Sequence, residues 1–164
     1  MPFQISPAPE LVAFDIYTKR DSAPSKDWAY TKSNITPSGV APLTRPGGVS
    51  VASTFTVTVS LNRAQSWVLK AHLNDTKLLD HERLHHMIAC CVGLKFYNEV
   101  SALVKPKLAA LQTELTRAKA EADNLFKAIT RKYDADTGSN TIASQQAAWA
   151  TRIRGWYASK TLTF

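Results

Sequence analysis

The chain has 164 residues, 45% of them hydrophobic and 20% charged, which suits one globular domain, residues 1–164, with a real core. No run approaches the roughly eighteen apolar residues of a membrane span, and Met1-Pro2-Phe3-Gln4-Ile5-Ser6-Pro7 lacks the charged-then-apolar order of a signal peptide. The expected locations are therefore the cytoplasm, a leaderless export route, or a mature form behind a new methionine; the net charge of +7 is scattered among acids without an aromatic-plus-basic stripe, which disfavours nucleic acid as a partner.

Residues 1–48 hold most of the prolines and read as strands and loops. Residues 12–17 have the alternation of a short strand, Trp28-Ala29-Tyr30 form another, and residues 34–48 are expected to be irregular and exposed. The clearest strand is 49–61, where Val49, Val51, Phe55, Val57, Val59 and Leu61 take one face and Ser50, Thr54, Thr56, Thr58 and Ser60 the other. Such a strand suits an antiparallel sheet covered on one side. Asn62-Arg63-Ala64-Gln65 then turns the chain into Ser66-Trp67-Val68-Leu69-Lys70, so residues 49–73 read as a strand pair.

Residues 74–164 read as helices. Asn74 or Asp75 can cap the first, which is expected to run to about residue 104 because Gly93 alone does not break it. Cys90 and Cys91 are neighbours on it, cannot staple distant segments, and read as buried thiols. Pro106 opens a second helix with a seam of Leu108, Leu111, Leu115, Ala118, Ala122, Leu125 and Ile129, which suits antiparallel packing on the first helix better than an intermolecular coiled coil. The stretch from Tyr133 to Asn140 is expected to end it in a turn. A last helix over 141–158 puts Ile142, Trp149, Ile153 and Trp156 on one face. The predicted class is α+β: a small antiparallel sheet from the N-terminal half packed on a helical C-terminal half.

The first helix carries His81-Glu82-Arg83-Leu84-His85, a His-Glu-x-x-His pattern. Histidines four apart share a helix face and can hold one zinc ion, with Glu82 placed to take a proton from water. Leu78, His81, His85, Ile88, Val92 and Phe96 follow at three- and four-residue steps, so the histidines continue a core-facing stripe. The competing reading is a pair of satisfied core histidines.

Several segments together resemble a bacterial family of secreted zinc-dependent proteases, domain of unknown function 922. They are Ser66-Trp67-Val68, then Leu78-Leu79-Asp80-His81-Glu82-Arg83-Leu84-His85, then Tyr133-Asp134-x-x-Thr137 with Gln146-x-x-Trp149. The resemblance spans roughly residues 49–157 and implies a zincin-like core with a central motif helix. The chain departs from it in carrying Ser139-Asn140 where members usually have His-Gly, and His86 where they have an aromatic residue.

Catalytic zinc usually keeps three protein ligands and an open position. Asp134, in the resembling Tyr-Asp-x-x-Thr segment, is the expected third ligand beside His81 and His85; Asp136 and Glu99 are alternatives, although Glu99 lies roughly 20 Å along the helix from His85. A turn or capping role for Asp134 stays open. The expected function is a zinc metallopeptidase acting on a peptide or protein, with Glu82 as general base, Tyr133 or His86 as oxyanion donor, and Asp80 or Thr137 orienting a ligand. By analogy, Val68 to Lys70 is the edge that would hold the substrate backbone. A non-catalytic particle subunit or cargo with a metallopeptidase-like fold is the alternative. Oligomeric state is not readable from the sequence.

Overall fold

The longest buried element is the helix that carries the histidines, and Asp75 starts it: its carboxylate accepts from the backbone N–H of Lys77 and Leu78 at 3.1 and 3.0 Å. A computed structural model of the chain describes residues 3–24, 27–138 and 141–164. Its strands in chain order are β1 (Phe3–Ser6), β2 (Thr18–Arg20), β3 (Ala29–Tyr30), β4 (Ser33–Ser38), β5 (Pro42–Arg45), β6 (Gly48–Val51), β7 (Thr56–Leu61), β8 (Trp67–Leu69) and β9 (Val104–Lys105). The helices are α1 (Thr76–Ser101), α2 (Leu108–Thr137) and α3 (Ala143–Ser159).

The α+β expectation holds at that level, but the strands form three small sheets, ordered β1-β7-β4, β2-β8-β3 and β5-β6-β9. They are not purely antiparallel: β1 runs parallel to β7 and β2 parallel to β8. The expected strand at 49–61 is two strands, because Phe55 N–H bonds the Ala52 carbonyl at 2.9 Å and turns the chain from one sheet to another. Phe55 returns in phase with Val51, and both are buried, so alternation alone does not reveal the turn.

Residues 34–48, expected to be irregular, supply β4 and the β5–β6 hairpin. Their prolines occupy tolerant places: Pro37 is on an edge strand and Pro42 begins one. Residues 12–17, expected to be a strand, instead contain a 3₁₀ turn, Phe14–Ile16, which sets Phe14 and Tyr17 edge to face with ring centroids 5.3 Å apart. The apolar step there is three, not two.

Helix α1 packs against α2, α3 and the β1-β7-β4 sheet, so it is buried on most of its circumference. Gly93 permits the sheet contact, since a Cβ there would lie 2.4 Å from Cγ2 of Val59. The helix stops at Ser101, short of 104, because Val104 and Lys105 pair with β6. A second cluster, Val12, Phe14, Tyr17, Ala29, Leu61, Val68 and Leu78, joins the β2-β8-β3 sheet to the first turn of α1. Both cysteines are buried and unpaired, and burial pushes the Cys91 thiol up to about 12.

Helix α2 does not end in a turn at Tyr133. It continues to Thr137 and is closed by Gly138 in the left-handed region, φ 55°, whose N–H bonds the Asp134 carbonyl. Helix α3 buries Trp149, Ile153 and Trp156, whereas Ile142 precedes it and is exposed. Two polar contacts fix α3: Trp149 Nε1 donates to Asp136 Oδ2 at 3.0 Å, and Arg154 donates to Asp80 Oδ1 at 2.7 Å.

Candidate metal centre

The last turn of α2 brings Asp134 onto the two histidines of α1. Asp134 Oδ1 lies 2.9 Å from His85 Nε2 and 3.3 Å from His81 Nε2, and the two Nε2 atoms are 3.1 Å apart. Both histidines are buried. These separations fit a small cation, because tetrahedral coordination with bonds of about 2.0–2.2 Å sets ligand atoms roughly 3.3 Å apart.

The tautomer of His81 follows from its other nitrogen. Nδ1 lies 3.1 Å from Oε1 of Gln146, a carbonyl oxygen that can only accept, so Nδ1 carries the hydrogen. Its Nε2 then presents a lone pair to the carboxylate of Asp134. Two acceptors facing each other at 3.3 Å call for a cation between or beside them. In the protein alone, a proton on His85 meets that need. Burial disfavours that proton, but the Asp134 hydrogen bond and the neighbouring carboxylates outweigh burial and raise the His85 pKa. Asp134 responds in kind: burial pushes its carboxyl up, and the imidazoles of His81 and His85 more than reverse that, holding it well below the usual range.

Glu82 is buried on the same helix, and its Oε2 has no hydrogen-bond partner. It lines a cleft of about 670 Å³ together with His81, His85, Asp134, Thr130 and the Asp27–Thr31 segment. An unpartnered buried carboxylate oxygen costs stability, so in this cleft it is open to water or another partner that enters. Thr130 Oγ1 is the other buried side-chain polar atom without a partner among the described residues, and Thr130 too is in the cleft wall.

Other residues expected here stand elsewhere. His86 Nδ1 bonds Ser33 Oγ at 2.8 Å and its Nε2 bonds the Pro7 carbonyl at 2.9 Å, so both nitrogens are occupied away from the cleft and burial lowers its pKa. Tyr133 is fully buried; its ring stacks on His81 with centroids 4.6 Å apart, and its hydroxyl is held by the Gln146 amide. Neither presents a donor to the cleft. Asp136 is engaged by Lys132 and Trp149, and Glu99 by Lys95. Thr137 Oγ1 donates to the Tyr133 carbonyl at 2.7 Å, and Asp80 reaches Arg154, so neither orients a ligand directly. Strand β8 has neighbours on both sides and is no edge; of the two outer strands, β2 and β3, it is β3 that lines the cleft. Ser139 and Asn140 lie outside the described residues.

Two positions carried a signal that the motif alone does not. Gln146 is in phase with Trp149, Ile153 and Trp156 at steps of three, four and three, a polar residue on a buried stripe. Thr130 is one helical turn before Asp134 on α2. No protein-family model matches the chain, and neither a curated protein nor a solved structure does.

Proposed function

We propose that the protein is a zinc-dependent hydrolase of peptide bonds. The observation that carries this reading is the pairing of one three-donor cluster, His81, His85 and Asp134, with the partnerless Glu82 carboxylate oxygen in the same cleft. Two imidazoles and one carboxylate are a donor set that suits zinc, whose borderline softness accepts nitrogen and oxygen together. When bound, zinc supplies Lewis acidity that lowers the pKa of water and polarises a carbonyl. The resemblance to the domain of unknown function 922 proteases points to the same chemistry.

Glu82 acts as general base, taking a proton from the attacking water and returning it to the leaving amine. Gln146 holds the His81 ring so that Nε2 faces the cleft. Asp80 and Asp136 act at one remove, by docking the helix that carries Gln146. The outer strand β3 offers main chain along the cleft wall, so an extended peptide can add to the β2-β8-β3 sheet beside the cluster. A purely structural particle subunit or cargo gives Glu82 nothing to do and leaves its burial cost without an offset.

Elemental analysis of the purified protein tests the reading: about one zinc per chain is expected, lost in His81→Ala and in Asp134→Ala. Hydrolysis of a peptide library by the parent and not by Glu82→Gln completes it. Zinc binding unaffected by Asp134→Ala, or equal turnover by parent and Glu82→Gln, would overturn it.

A further inference from the structure

On the outer face of the β2-β8-β3 sheet is a second depression, of about 410 Å³, lined by Arg20, Pro24, Tyr30, Lys32, Ala64, Gln65 and Trp67. Tyr30 also lines the metal cleft, so the two share a wall. Strand register accounts for the gathering: Tyr30 on β3 and Thr18 on β2 both pair with Trp67, and Arg20 pairs with Leu69, which puts Tyr30, Trp67 and Arg20 on one face.

Its chemistry is that of an anion site. The Arg20 guanidinium is held over the Trp67 ring, 5.3 Å from its centroid, which orders a long side chain without neutralising it. Lys32 is anchored through its main chain, its N–H bonding Ser66 Oγ at 3.0 Å, which leaves the ammonium group for solvent or a ligand. Among the described residues neither cation makes an ion pair, whereas Lys70, three residues beyond Trp67, is paired with Asp21. Gln65 Oε1 is used by Asn62, and its amide nitrogen remains as a neutral donor. Two cations without an ion pair and an amide around one concavity suit a carboxylate.

We infer that this depression is a substrate subsite that selects an acidic side chain, Glu or Asp, in the peptide lying along β3. The inference rests on the peptide-hydrolase reading above. A strand added beside β3 would project alternate side chains over the same face that bears Tyr30, next to the depression, while its backbone passes the metal cluster. Arg20 and Lys32 would then set specificity by charge, and the effect would weaken with added salt, since the depression is open to solvent.

The test uses fluorescein-labelled decapeptides of mixed Ala, Ser, Val and Leu that carry one Glu, one Gln or one Lys at each position in turn. Their turnover by the zinc-loaded parent and their binding to Glu82→Gln by fluorescence anisotropy are both measured. At one position the Glu peptide is expected to exceed the Gln peptide by about fivefold and the Lys peptide by more, the scale of one or two partly exposed ion pairs. In Arg20→Gln/Lys32→Gln the Glu-to-Gln ratio falls to about one, and in Arg20→Glu/Lys32→Glu the preference turns to Lys. The denaturant midpoint and the zinc content of each variant show whether it keeps the fold. Equal use of all three peptides by the parent, or an unchanged preference in the variants, overturns the subsite and leaves the hydrolase reading standing. No turnover and no binding of any peptide overturns both.

Discussion

His81 Nδ1 meets Gln146 Oε1 at 3.1 Å, and through that contact a residue of α3 decides which nitrogen of an α1 histidine faces the cleft. The same amide donates to the Tyr133 hydroxyl at 2.8 Å, and the Tyr133 ring stacks on His81. One glutamine therefore fixes both the tautomer and the tilt of a ring in the candidate metal cluster.

Gln146→Ala should lower zinc affinity by about 10- to 100-fold, the usual effect of removing a group that orients a metal-bound histidine. Gln146→Glu keeps an acceptor opposite Nδ1 and should restore most of it. Competition with a chromophoric chelator measures both, and equal affinity in parent and Gln146→Ala would show that the ring is held by Tyr133 alone.

In the metal-free protein the His85–Asp134 pair should contribute most to stability in a mildly acidic window, where His86, its pKa lowered by burial, acts in the opposite sense. Asp134 has its pKa lowered from 3.8, so its contribution is present above about that value and is lost as pH falls through the lower folded value. His85 has its pKa raised from 6.5, so its contribution is full below 6.5 and is lost as pH rises through the higher folded value. Both are in force between about pH 4 and 6.5. The difference in thermal stability between chelator-treated parent and Asp134→Asn should be largest in this window, and a difference that does not vary with pH would remove the pair's contribution. Metal must displace the His85 proton, so zinc affinity should fall as pH drops through the raised His85 value.

Much of this arrangement was legible in the sequence, for physical reasons that differ by residue. His81, Glu82 and His85 are three residues within one five-residue stretch of a helix, so their common face follows from helical pitch alone. Asp134 was reached through the resembling segment, and the expected turn around it is in fact helix, because Gly138 rather than Tyr133 supplies the left-handed stop. The N-terminal half was harder. Pairings such as β1 with β7 join residues more than fifty apart, and no local period encodes a parallel neighbour. The same non-locality hid that β8 is central with β2 and β3 at the edges, which moves the proposed substrate edge to Ala29 and Tyr30. The histidine run misled for a simpler reason: His86 is one residue on from His85, about 100 degrees round the helix, and there it meets Ser33 and Pro7.

Gly93→Ala should destabilise the protein by about 1–3 kcal/mol, the cost of forcing a methyl into a packed contact. The added carbon would fall 2.4 Å from Val59, a fully buried residue of the central strand β7, so helix or sheet must shift. Because His85 and His81 are two to three turns away on the same helix and Asp134 is on α2, zinc content should hold while the denaturant midpoint drops. An unchanged midpoint would mean that α1 can lift from the sheet at little cost.

Thr130→Val should leave the protein as stable as the parent or more so. Its hydroxyl is buried without a partner, and replacing an unsatisfied polar group by an apolar one of the same shape removes a desolvation cost. Turnover should respond in the opposite sense. Thr130 is in the cleft wall one turn before Asp134, and its hydroxyl has no partner within the protein, so we propose it as a donor to a substrate carbonyl. Loss of one such hydrogen bond is worth about tenfold in kcat/KM. Thr130→Ser should keep activity near that of the parent. A Thr130→Val protein that unfolds at lower denaturant and turns over normally would assign the hydroxyl to the fold instead of the cleft.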